Sequence, residues 1–168
     1  MKTGAKTTGL TLFFAVCFLC VAASNAFSEE YKALKGVESI KAVFDIGSGN
    51  PQFTASMLNL VHDTFKDKNI TAVTKKPVFV VVFSGPVTKL ISTDRAGFSP
   101  EEQNILKKIA DTISKMSKDG IRLEVCSLAV KAFGVNASTV LPEIKHVNNG
   151  WISLIGYQAK GYSIVPAY

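Results

Sequence analysis

The chain has 168 residues, 47% of them hydrophobic, with a formal net charge of +6 and three cysteines. That length suits one domain with a sizeable core and is too short for two ordinary ones. The basic excess is mild and scattered among acids, as in Lys107 and Lys108 near Asp111, so no nucleic-acid stripe with interleaved aromatics emerges.

Lys2 and Lys6 precede an apolar run from Leu10 to Ala23 that closes on Ser24, Asn25 and Ala26. This is the three-part layout of a secretory signal peptide over residues 1–26, shorter than a membrane span and followed by polar Ser28, Glu29 and Glu30. Cleavage after Ala26 leaves 142 residues, a leader over 27–38 and a domain over 39–168. The expected product is exported, to a periplasm, with no attachment to the membrane after cleavage. Taking Lys2 and Lys6 from the 19 basic residues leaves 17 against 13 acids, an excess of four. Cys17 and Cys20 depart with the signal, so Cys126 becomes the one remaining thiol, without a disulfide partner in a compartment that favours pairs.

Residues Ile40 to Ile46 read as a first strand, broken by Gly47, Ser48 and Gly49. Asn50 and Pro51 then open a helix whose apolar positions are Phe53, Met57, Leu60, Val61 and Phe65. The continuous β-branched run Pro77 to Phe83 has the composition of a central parallel strand, and Ser84, Gly85 and Pro86 end it. Ser99, Pro100, Glu101 and Glu102 form a capping box ahead of a helix striped by Ile105, Ile109, Ile113 and Met116 and closed by Gly120.

A third strand over Ile121 to Val125 hands over at Cys126 to a short helix, Ser127 to Phe133. A small helical turn (Asn136 to Leu141), a short strand (Ile144 to Val147), a helix (Gly150 to Lys160) and a last strand (Tyr162 to Val165) follow. Strands alternating with helices predict a three-layer α/β/α sandwich on a mostly parallel sheet. Ligands in such sheets bind beyond the carboxyl ends of the strands. Gly47, Ser48, Gly49, Asn50, Ser84, Gly85 and Cys126 are therefore the candidate site, expected to converge at a topological switch point.

The Gly47 loop has Gln52 where a dinucleotide fingerprint wants glycine, so a plain turn is the better reading. His62 and His146 have no metal-ligand spacing around them, and neither a metal nor another cofactor is expected. Asp94 and Arg95 read as a loop ion pair, and the sequons at Asn69 and Asn136 are short enough to arise by chance. Cys126 divides two readings. As a buried apolar thiol it is structural. At a strand end and helix start, where backbone N–H groups favour the thiolate, it is an accessible nucleophile.

Several segments together resemble the DsrE/DsrF-like family over about Ser39 to Pro166: V-F-D-I with its G-x-G-N-P turn, F-V-V-V-F-S-G-P, L-E-V-C, and the stretch from Leu141 to Pro166 containing G-Y-Q-A-K-G-Y. The likeness is to the exported, uncharacterised branch. It implies the same α/β/α fold, homotrimers or hexamers, and a cysteine at the position of Cys126 that accepts sulfur as a persulfide and passes it between donor and acceptor proteins that the sequence does not name. Leu128 departs from the polar residue, often asparagine, that many relatives carry two places after the cysteine. The competing expectation is a non-catalytic oligomeric binding or assembly module, with Cys126 packed and Trp151, Tyr157 and Gln158 supporting a subunit contact or ligand pocket.

Overall fold

In the computed structural model, Met1 and residues 31–167 are described. Apart from Met1, the expected signal peptide lies outside the described residues. A 3-10 turn at Lys32–Leu34 falls within the expected leader, and the sheet begins at Lys41.

Among the described residues five strands, β1 (Lys41–Ile46), β2 (Val78–Phe83), β3 (Arg122–Cys126), β4 (Lys145–Val147) and β5 (Ser163–Ala167), are all parallel in the order β4-β3-β2-β1-β5. The helices are α1 (Pro51–Lys66), α2 (Lys68–Val73), α3 (Pro100–Lys118), α4 (Ser127–Ala132) and α5 (Gly150–Ala159). The sequence reading passed over α2 and a 3-10 turn at Gly85–Lys89. Neither shows a helical apolar repeat: α2 is one short stretch capped by Asp67, and the 3-10 turn begins on Gly85, whose φ is +72°.

From β1 to β4 the chain steps in one direction across the sheet, and the right-handed crossover rule puts α1, α3 and α4 on one face. From β4 it must return past β1 to reach β5, so α5 crosses the opposite face. The two faces differ in cover. On the first, Leu58 and Val61 of α1 and Leu106, Ile109, Ile113 and Met116 of α3 bury Phe44, Ile46, Phe79, Val81 and Phe83. Each such side chain contributes roughly 1.5–3 kcal/mol. The second face has a small cluster of Val43, Val80, Val82 and Leu154 with Tyr157 and Tyr162 against it.

Ser99 accepts from the Glu102 N–H and Glu102 from the Ser99 N–H, the capping box read from sequence. At the amino edge of the sheet His62 Nε2 and Lys66 Nζ both reach Asp119 Oδ2, at 2.6 and 2.9 Å. Lys66 first and His62 second hold the Asp119 carboxyl below the usual carboxylate range. His62 is thus a packed histidine tied to an acid.

Candidate functional site

Cys126 is the last residue of β3 and the N-cap of α4, one residue further into the strand than its sequence reading. Strand alternation fixes its direction. Val125 points to the face carrying α1, α3 and α4, so Cys126 points to the α5 face. There it meets Gly150, the first residue of α5: a Cβ on Gly150 would stand 3.1 Å from Cys126 Cβ, 3.2 Å from Val82 Cγ1 and 3.7 Å from Cys126 Sγ. Glycine at this position lets the helix start directly on the thiol.

Cys126 is buried, with the residue at 7% exposure, as the first of its two readings expected. It also makes no capping bond to α4; the Leu128 N–H of that helix donates to the Asn148 carbonyl at 3.3 Å instead. The helix start beside Sγ is that of α5, where Asn149 Oδ1 accepts from the Trp151 N–H at 3.0 Å.

The chain leaves β3 toward one face and the neighbouring β4 toward the other, so the topological switch lies between these two strand ends. Cys126 and Asn148–Gly150 border it. Gly47–Asn50 and Ser84–Gly85 pack against each other: the Ser84 N–H donates to the Ile46 carbonyl and the Val87 N–H to that of Gly47, at 3.0 and 3.3 Å. Asn50 caps α1 through Phe53 N–H, and Gly49 lies so close to Pro86 that a Cβ would meet the proline Cβ at 2.9 Å. Cavities of about 220, 540 and 380 Å³ open elsewhere, the first beside Lys89 and Phe133, the second beside Lys75 and Asp119, the third beside Tyr31 and Leu60, and none of the three is lined by Cys126, Ser84 or the Gly47 loop.

The α5 face also carries polar residues that sequence reasoning missed. Asp45, buried in β1, accepts from Ser84 Oγ at 3.0 Å. Ser84 follows Phe83, the register partner of Val125, and so lies level with Cys126. Glu124, two residues before the cysteine and 4% exposed, accepts from Tyr157 Oη at 2.6 Å and pairs with Arg122 Nε at 3.1 Å, both through Oε1. Burial first, then the bond to Glu124 and its charge, push the Tyr157 phenol up to about 12. An acid inside a β-branched strand was the available signal for both carboxylates. Among the described residues no group of three or more His, Cys, Asp or Glu could hold a metal ion.

The DsrE/DsrF-like family profile matches residues 41–166, from the first residue of β1 into β5. The chain belongs to the DsrE/DsrF-like family. An uncharacterized protein of Aquifex aeolicus (strain VF5) is 25% identical over 128 residues, which is 76% of this chain and 56% of that protein. The chain thus spans little more than half the length of that curated relative. Among solved structures, a protein of unknown function from Methanobacterium thermoautotrophicum superposes with a TM-score of 0.58 at 16% identity, covering 76% of this chain and 99% of that one. A conserved protein of unknown function from Bacteroides thetaiotaomicron gives 0.54 at 20% identity, covering 75% and 93%. These likenesses establish the DsrE-like fold.

Proposed function

We propose that this DsrE-like protein is an exported sulfur carrier in which Cys126 takes a sulfane sulfur as a persulfide and yields it to an acceptor. The observation that carries the reading is the place of the thiol: on the last residue of β3, at the β3–β4 switch, against the first residue of α5. Family membership supports the sulfur chemistry. The positive end of the dipole of a ten-residue helix favours negative charge on a nearby group, whether thiolate or persulfide. Because the thiol is buried, exchange requires the start of α5 to move aside or a donor to displace it. The carrier works as a homo-oligomer, trimer or hexamer, joined through the exposed apolar surface of α5.

A second reading, a non-catalytic oligomeric module with a structural cysteine, draws on that burial. One experiment separates the two. The purified protein is incubated with a persulfide donor and its intact mass compared with that of Cys126→Ser. The carrier reading expects one sulfur added to the wild type, none to the variant, and loss of the added sulfur to a thiol acceptor. A wild-type thiol that stays unmodified under native conditions, yet reacts after unfolding, would establish the structural reading.

A further inference from the structure

We propose that Glu124 is the proton acceptor of the Cys126 thiol, an inference that rests on the carrier reading above. Among the described residues, Glu124 Oε2 is the one buried side-chain oxygen or nitrogen without a hydrogen-bond partner. Leaving such an oxygen unpaired in a protein interior is costly, so its persistence calls for a use. Glu124 and Cys126 leave the same face of β3 one pleat apart, about 6.6 Å along the strand, as neighbouring positions on that face.

The neighbours leave Oε2 as the free acceptor. Arg122, from the same strand, pairs with Oε1, and Tyr157, from α5, donates to it. Tyr157 itself keeps its proton and cannot take another group's. Lys145 of β4 stands level with Glu124 and carries only donors, while Val82, the register partner in β2, is apolar. Tyr162 packs on the Tyr157 ring, and Asp45, one strand beyond Val82, is bonded to Ser84.

In the step this serves, the Cys126 S–H bond breaks and its proton passes to Glu124 Oε2. The sulfur electron pair forms a bond to the outer sulfur of a persulfide donor, R–S–SH. The donor S–S bond breaks, and R–S⁻ leaves with the proton that Glu124 returns. One thiol and one persulfide are consumed and one of each is formed, so no external oxidant or reductant is needed.

The test compares wild type, Glu124→Gln and Glu124→Asp for Cys126 alkylation by iodoacetamide and for sulfur loading from glutathione persulfide, with circular dichroism to check the fold. Glu124→Gln is expected to slow both reactions at least about tenfold near neutral pH, with the gap narrowing in alkali where hydroxide takes the proton. Glu124→Asp keeps a carboxylate with a shorter reach, and its rates should fall between the two. A folded Gln variant reacting at the wild-type rate would overturn the proposal. If the Gln variant fails to fold, the Asp variant decides, and an unchanged Asp alkylation rate overturns it. Faster alkylation of wild type than of the Gln variant, with no sulfur loading in either, would sink the carrier reading and leave Glu124 as proton acceptor standing.

Discussion

Tyr157 is bound to a buried acid, and this makes its protonation a handle on stability. Its phenol is held up to about 12 against roughly 10 in an unfolded chain. Below pH ~10 both states keep the proton and the contribution to stability is complete. Between ~10 and ~12 the unfolded chain loses its proton while the folded one retains it, so stability falls as pH rises and the contribution is gone above that window. The ring is only half-buried, which makes the slope shallow. Urea titrations at rising alkaline pH should show this decline in wild type and its loss in Tyr157→Phe, which should also be less stable at neutral pH by about 1–3 kcal/mol because Glu124 loses a donor. A Phe variant with the wild-type alkaline slope would assign the effect elsewhere. At this scale Cys126 was legible, because its lone thiol and strand-end position are sequence facts. What covers it was not, since Gly150 lies 24 positions away and reaches it only through the α5 crossover. Asp45 and Glu124 were hidden for a similar reason: a carboxylate in an apolar run gains meaning from the Ser84 and Tyr157 groups that the fold brings to it.

Among the elements, the long periodic helices and even the short α4 and β4 could be read, while α2 and the 3-10 turn at Gly85–Lys89 could not. The capping box and the Ile109, Ile113, Met116 stripe marked α3 within a residue or two of its observed ends. For α1 the element was right but its buried face was rotated: Thr54, Leu58, Val61 and His62 are buried, while Leu60 is exposed. Phe53 and Leu60 supplied a rival apolar stripe, and the polar residues His62 and Thr54 disguised the true one. Only the sheet decides between them. The turn after β1 shows how an element end constrains a residue. Gly49 has an ordinary backbone conformation but no room for a Cβ beside the Pro86 ring at 2.9 Å, and the ring cannot swing away. Gly49→Ala should therefore push the β1–α1 turn off the turn after β2 and destabilise the protein by about 1–3 kcal/mol, a drop of several degrees in Tm. Gly156→Ala, which meets nothing within 4 Å, is the matched control and should melt at or slightly above the wild-type temperature. Equal melting of both variants with wild type would remove the packing argument.

At the scale of the whole molecule the two faces of the sheet are unequal, and the inequality points outward. α1 and α3 close the first face with polar surfaces toward water, whereas α5 carries no charged residue in any of its ten positions. It buries Leu154 against the sheet yet leaves Trp151, Ile152 and Ile155 at 71, 65 and 66% exposure, with Ile164 of the edge strand β5 also open. A helix apolar on every side belongs inside a larger body, and an exposed apolar patch of this kind marks an interaction surface. A second copy is the occupant we favour. The helix has no charge with which to select a foreign partner, and a symmetric contact would lay one α5 on another. The alternation of strands and helices made the fold legible, and Trp151 was named as a contact residue, but which of Trp151, Ile152, Leu154 and Ile155 face outward could not be read from a sequence in which all four are equally apolar. Trp151→Asp with Ile155→Asp should convert an oligomer into a monomer by light scattering while leaving circular dichroism unchanged, because neither side chain supports the core. Trp151 follows directly on Gly150, the residue that covers Cys126, so the same contact would govern how readily the start of α5 moves off the thiol. The monomeric variant is accordingly expected to alkylate at Cys126 several-fold faster than wild type. Wild-type protein that is monomeric at working concentration, or an unchanged oligomer in the double variant, would show that α5 is not the contact.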